Sequence, residues 1–198
     1  MWSAAILAGG QARRFGGRDK GALIVDGQTI RDRQLDVLRS VASEILVVGS
    51  TVAPLGAIPG TRAVRDLVAG GGPLAGLHAA LAEAAGAATI VVACDMPFVT
   101  APLLRHLLAL TADADAVVPG TSRGYHPLCA AYTPACLAPI ARRLTDGRLK
   151  MTDFLQDVRA RIVTASDLEP FGDPARLLTN VNTPADYRDL DARPSRQA

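Results

Sequence analysis

Two short segments, Ile45-Leu46-Val47-Val48 and Ile90-Val91-Val92-Ala93, are apolar at every position. A strand with one wet face alternates apolar and polar side chains, so an unbroken apolar run needs cover on both faces. A parallel sheet held between two layers of helices supplies that cover. The two runs lie in candidate strands 44–48 and 89–93, and further β-type runs occupy 3–7, 63–65, 116–119 and 128–132. Helix-length segments separate them. Residues 30–41 place Leu35, Leu38 and Val41 at three-residue steps, and residues 74–85 are rich in Ala and Leu, which favour helix. Pro102 suits the first turn of a helix running to Leu110. Thr183-Pro184-Ala185-Asp186 has the form of an N-cap, a first-turn proline and an acid near the positive helix end. The expected fold is α/β: one open, mostly parallel twisted sheet with helices on both faces, a single domain over residues 1–190. Residues 191–198 read as a frayed tail.

Composition narrows the function. The 198 residues are 49% hydrophobic and 20% charged with a net charge of +2, which fits a globular chain and advertises no nucleic-acid surface. No apolar run is long enough for a membrane span. Cys94, Cys129 and Cys136 lack metal-ligand spacing, which points to a reducing cytoplasm rather than a disulfide framework. Cys94 has no evident His partner and reads as a packed thiol.

The first strand ends in Leu7-Ala8-Gly9-Gly10-Gln11-Ala12-Arg13-Arg14-Phe15-Gly16-Gly17-Arg18-Asp19-Lys20. Ligands of open α/β sheets bind beyond the carboxyl ends of strands. Glycines there let backbone N–H groups approach a ligand, and Arg14 and Lys20 add fixed positive charge. That combination suits a polyphosphate. It is neither a Walker loop, since Gly21 follows Lys20 where Ser or Thr is needed, nor the Gly-x-Gly-x-x-Gly fingerprint.

Asp95 follows the apolar run as Cys94-Asp95-Met96-Pro97-Phe98. A carboxylate at a buried strand end is costly unless it meets a cation. Magnesium is a natural partner, because it takes one or two carboxylates plus substrate phosphates; a helix cap is the alternative. Asp66 ends the third strand, and Gly70-Gly71-Gly72-Pro73-Leu74-Ala75-Gly76 then opens a helix whose N-terminus could face an anion or simply be capped. His78 within that helix reads as an ordinary packed residue. In the C-terminal half, Arg123-Gly124-Tyr125-His126-Pro127-Leu128 precedes a strand and Asn180-Val181-Asn182-Thr183-Pro184 precedes the last helix. Arg148 and Lys150 either face an acceptor phosphate or form a solvated basic turn.

Together, Leu-Ala-Gly-Gly with Arg14, Gly17, Asp19 and Lys20, then Gly-Pro-Leu-Ala-Gly, Cys-Asp-Met-Pro-Phe and Asn-Val-Asn-Thr-Pro resemble the molybdenum cofactor guanylyltransferase family. The resemblance spans residues 2–190, in family order. It implies that Leu7, Ala8, Gly9, Gly10, Lys20, Asp66 and Asp95 contact a nucleotide, and that Arg14, Lys20 and Asp95 serve the reaction centre with Mg2+ on Asp95. It implies that His126, Asn180 and Asn182 face the acceptor. The implied reaction is transfer of GMP from GTP to the phosphate of molybdopterin or molybdenum cofactor, with pyrophosphate released. Cofactor-biosynthesis proteins or recipient molybdoenzymes are the implied partners. One departure is Val48, where some members carry an Asn that contacts nucleotide. The residues leave open a CTP- or sugar-phosphate-using nucleotidyltransferase, and a delivery protein that binds nucleotide or pterin without catalysis.

Overall fold

The computed structural model describes residues 1–8, 20–49, 58–66, 68 and 70–191. In chain order, the first half carries β1 (Ser3–Leu7), β2 (Ile24–Val25), β3 (Gln28–Thr29), α1 (Ile30–Arg39), β4 (Glu44–Gly49), β5 (Arg62–Arg65) and α2 (Gly72–Glu83). Next come β6 (Thr89–Ala93), α3 (Ala101–Ala109), β7 (Ala116–Thr121), β8 (Gly124–Tyr125) and β9 (Cys129–Tyr132). The chain closes with α4 (Leu137–Thr145), α5 (Met151–Phe154), β10 (Ala160–Val163), α6 (Ala165–Leu168), α7 (Pro174–Leu177) and α8 (Pro184–Asp191).

The main sheet has the order β10-β7-β9-β6-β1-β4-β5, with β8 paired to β7. Pairings β1–β4, β1–β6, β4–β5 and β7–β10 are parallel. β9 runs antiparallel to both β6 and β7. Its direction follows from the short path between β7 and β9, residues 122–128, since a parallel return needs a crossover of about a dozen residues or more. The sheet is therefore open and mostly parallel, as the apolar runs predict, with one reversed strand.

Side chains of successive strand residues divide between the two faces. Ala4, Ile6, Ile45, Ile90 and Val92 pack with Leu35 and Leu38 of α1 and with Leu103, Leu104 and Leu107 of α3. Ala5, Leu7, Leu46, Val48 and Val91 pack with Leu74 and Leu77 of α2 and with Ile140 of α4. Each fully buried Leu or Ile contributes about 1.5–3 kcal/mol, so these helices are fixed firmly on their faces. Val48 spends its side chain in this second core, and its carbonyl accepts from the Ala8 N–H at 2.7 Å.

A third, smaller core sits apart. Val25, Ile30, Phe98 and Val181 are buried together, with Leu23 and Tyr187 against them. It joins the β2–β3 hairpin, the segment after β6 and the start of α8. The hairpin turns at Asp26 (φ 48°) and Gly27 (φ 79°), the left-handed pair that a two-residue turn requires. Helix α2 begins at Gly72, earlier than the 74 expected, with Pro73 in its first turn. No helix among the described residues is long and apolar enough to cross a membrane. The expected tail after 191 lies outside the described residues.

Candidate active site

The carboxyl ends of β1 and β6 lie side by side, with Leu7 opposite Ala93 and the Cys94 N–H donating to the Leu7 carbonyl at 3.2 Å. The chain then turns and presents Asp95, whose side chain is only 11% exposed. A carboxylate so enclosed needs donors. Lys20 Nζ donates to Asp95 Oδ2 at 2.9 Å, and Asn180 Nδ2 donates to Asp95 Oδ1 at 3.2 Å. Lys20 Nζ also donates to Asn182 Oδ1 at 3.0 Å. On the main chain, the Val181 N–H donates to the Asp95 carbonyl at 2.9 Å. Three segments far apart in sequence thus meet on one carboxylate.

The small third core is what brings them there. Tyr187 of α8 donates its hydroxyl to the Ile24 carbonyl at 2.6 Å, tying the last helix to the hairpin that follows Lys20. At the start of α8 the Asp186 carboxylate accepts from the Asn182 and Thr183 N–H groups, each at 2.8 Å, while the Asp186 N–H donates to Thr183 Oγ1 at 3.1 Å. This reciprocal cap holds Asn182 in position. Burial alone would raise the Asp186 carboxyl, but the amides of Asn182 and Thr183, the Thr183 hydroxyl and the charge of Lys20 outweigh it and hold it below the usual carboxylate range.

A cleft of about 460 Å³ opens beside this cluster, lined by Pro73, Met96, Tyr125, His126, Lys150 and Asn180 among others. Asn180 belongs to both the cluster and the cleft. Pro73 brings the N-terminus of α2 to the same opening. His126 is half-buried, and its Nε2 lies 3.1 Å from Thr121 Oγ1. Burial, then the nearby Arg123 charge, pushes its pKa below the ordinary histidine range, so the ring is neutral at pH 7. Lys150 pairs with Asp153 at 2.9 Å. The loop bearing Lys150 is pinned from behind by the buried Arg143. That guanidinium pairs with Asp157 and donates to the Asp153 carbonyl at 2.6 Å, and the Arg143 carbonyl accepts from the Arg148 N–H at 2.9 Å.

Of the residues singled out in the sequence, the structure brings Lys20, Asp95, Asn180 and Asn182 into one network and His126 into the adjoining cleft. Asn180 and Asn182, expected on the acceptor side, also clasp the Asp95–Lys20 pair. Leu7 puts its side chain into the core, which leaves only its backbone toward the strand end. Asp66 stands apart from the cluster. It directly follows β5, three strands from β6, roughly 14 Å at the usual strand spacing, and its Oδ1 accepts from the Val68 N–H at 3.0 Å. Gly9, Gly10 and Arg14 lie outside the described residues. His78 is half-buried in α2. Burial pushes the thiols of Cys129 and Cys136 up to about 12, which leaves them inert. Tyr187 and Arg143 were not singled out in the sequence. A tyrosine in a terminal helix and an arginine among arginines carry no local mark of the partner they reach.

No group of three or more His, Cys, Asp or Glu placed to hold a metal occurs among the described residues. A single enclosed carboxylate fits the habit of magnesium, which keeps one or two protein carboxylates and completes its shell with substrate phosphates and water. It does not fit a structural zinc site.

Known proteins share this architecture and sequence. The profile of the MobA-like NTP transferase domain matches residues 4–162. A "Probable molybdenum cofactor guanylyltransferase" of Pelotomaculum thermopropionicum is 40% identical over 181 residues, covering 91% of this chain and 87% of its own. The molybdenum cofactor guanylyltransferase of Desulfosudis oleivorans is 34% identical over 190 residues, covering 94% and 93%. Among solved structures, the molybdopterin-guanine dinucleotide biosynthesis protein A of Archaeoglobus fulgidus superposes with a TM-score of 0.83 at 26% identity, covering 96% of this chain and 97% of that one. A lysine and an acid meeting at the carboxyl ends of a parallel sheet is a geometry for handling phosphates, and with these likenesses it leads to one conclusion: the chain is a nucleotidyltransferase and belongs to the MobA-like NTP transferase domain family.

Proposed function

We propose that this nucleotidyltransferase moves GMP from GTP to the terminal phosphate of molybdopterin or molybdenum cofactor, with Mg2+ held by Asp95 and pyrophosphate released. One observation carries the reading. Lys20 and Asp95 face each other at 2.9 Å beside the carboxyl end of β1, and Asn180 links that pair to the adjoining cleft. The names of the relatives support guanylyl transfer and a molybdenum cofactor acceptor.

The acceptor phosphate is already an ionised nucleophile, so no general base is required. Its oxygen forms a new bond to the α-phosphorus as the bond to the bridging oxygen breaks, and that electron pair leaves with pyrophosphate. The barrier is one of charge and alignment. Lys20 neutralises the triphosphate, with Arg14 and the backbone of Gly9 and Gly10 contributing from the same turn. Asn180 and Asn182 keep Lys20 and Asp95 in register. When bound, magnesium supplies Lewis-acid stabilisation of the charge that builds on the leaving group. The acceptor occupies the cleft of His126 and Lys150, where the neutral imidazole offers a hydrogen bond without adding charge. Leu7, Ala8 and Asp66 line the path toward the ribose and base, which a nucleotide spans in roughly the three strand spacings separating Asp66 from Asp95. Free thiols suit a cytoplasmic location, and recipient molybdoenzymes or cofactor-biosynthesis proteins are the natural partners.

The test is pyrophosphate release with magnesium, molybdopterin and each nucleoside triphosphate in turn. GTP is expected to be the substrate. Turnover with CTP alone, or only with a sugar phosphate as acceptor, would assign the chain to another branch. Binding without pyrophosphate release would make it a delivery protein.

A further inference from the structure

Gln34 is a polar residue on the buried stripe of α1, between Ile30 and Leu38, and is 1% exposed. Its position is unusual for an amide unless it has partners. Its Nε2 donates to two carbonyls at once, Ala93 at 2.7 Å and Met96 at 2.9 Å. These are the two residues that bracket Cys94–Asp95. Its Oε1 has no hydrogen-bond partner among the described residues, so the two bonds from one nitrogen are what hold the side chain there. Next along the helix, Arg33 donates from Nε to the Pro97 carbonyl at 3.3 Å and from Nη1 to the Val25 carbonyl at 3.3 Å. Helix α1 therefore grips the turn after β6 from beneath, on the side opposite the opening of the site.

We propose that Gln34 is a positioning residue for Asp95: its amide clamps both ends of the Ala93–Met96 turn and so sets where the carboxylate meets the metal ion and the triphosphate. This rests on the reading that Asp95 holds magnesium. Among the described residues, Asp95 itself is bonded by Lys20, Asn180 and Val181, and two of these bonds come from side chains that also face the ligand side. The grip from α1 comes from a side chain buried in the core, away from those ligand-facing groups, so it does not depend on what binds there. Removing the amide takes a donor from both carbonyls, leaving Ala93 the longer 3.3 Å bond from the Met96 N–H, and lets the turn relax. Loss of a residue that orients a metal ligand typically costs about 10–100-fold in metal affinity or activity.

The experiment measures GTP affinity by calorimetry without acceptor, once with magnesium and once with chelator, on the full chain. The ratio is the gain in affinity that magnesium brings. Gln34→Met keeps the side-chain length and removes the donors; its gain is expected to fall by about 10–100-fold. Leu38→Ala, one turn further along α1, loosens the same helix without removing a hydrogen bond to the turn, and its gain is expected to stay at the wild-type value. Asp95→Asn is expected to abolish the gain. If Gln34→Met cannot be purified folded, Gln34→Asn, one methylene short of the two carbonyls, reads the same quantity. A wild-type gain in Gln34→Met beside a lost gain in Asp95→Asn overturns the positioning role alone. An equal loss in Leu38→Ala overturns it too, since the effect would then belong to helix packing. A wild-type gain in Asp95→Asn removes the metal reading, and the inference with it.

Discussion

Lys20 and Lys150 each meet a carboxylate at 2.9 Å, yet their side chains are 19% and 72% exposed. The Lys20–Asp95 pair is closed in by segments remote in sequence: the end of β1 and the hairpin, the turn after β6, and the approach to α8. The Lys150–Asp153 pair lies within a single turn of chain, where water and salt screen it. The same ion-pair chemistry thus stands enclosed on one side of the cleft and open to solvent on the other; in the proposed reaction the first would be the reaction centre and the second the acceptor wall. Transfer between two anions needs the first to be rigid, because charge must be opposed without reorganisation at the moment of reaction. An acceptor wall can adjust as its ligand enters.

That contrast can be broken most directly at the fixed centre. Asp95→Ala and Lys20→Ala are each expected to lower kcat by about 10²–10³-fold while circular dichroism reports an unchanged fold. Near-normal turnover in either variant would dissolve the distinction between the two sides. Arg143→Met releases the loop behind Lys150 and sharpens the contrast from the other side. Its acceptor KM should rise by about tenfold, the equivalent of one 1.4 kcal/mol contact, with the GTP KM unchanged; a parallel rise in both would show that the wall and the centre move together.

Smaller effects probe the supports. Tyr187→Phe removes the hydroxyl that ties α8 to the Ile24 carbonyl, and urea unfolding should show a loss near the lower end of about 0.5–1.5 kcal/mol. His126→Gln should flatten the pH dependence of stability. Burial, and then Arg123, hold the folded His126 below its ordinary value, so the unfolded chain takes up the proton first as pH falls. The stabilisation is complete above the unfolded value of about 6.5 and is lost as pH drops from there toward the folded value. Urea midpoints across that window should slope less in the variant than in the wild type. An unchanged slope would mean that the cleft side of His126 is wetter than its half-buried position indicates.

Much of the nucleotide side is legible in the sequence, because its signals are local. An unbroken apolar run means a doubly covered strand, and an acid directly after it must sit at a strand end. Asp95 is readable that way, and Lys20 as a fixed charge in the glycine-rich segment that follows β1. The Asp26-Gly27 turn was equally legible and went unread, since the runs on either side of it are too short to stand out as strands. β10 and α4 escaped for a related reason: the one is a four-residue edge strand, and the other follows a proline-containing turn. The reversal of β9 had no signature in its own residues. Side-chain alternation is the same whichever way a strand runs.

From the sequence alone came the doubly covered sheet and the presence of a cation and an acid beyond its strands, because periodicity and strand ends are properties of neighbouring residues. The tertiary structure decided that Lys20 meets Asp95, that Asn180 and Asn182 close on that pair, that Gln34 grips the turn beneath it, and that Arg143 pins the loop carrying Lys150. Each of these is a hydrogen bond or ion pair whose partner is chosen by how helices settle on a sheet, and no local pattern records which distant backbone a side chain will reach.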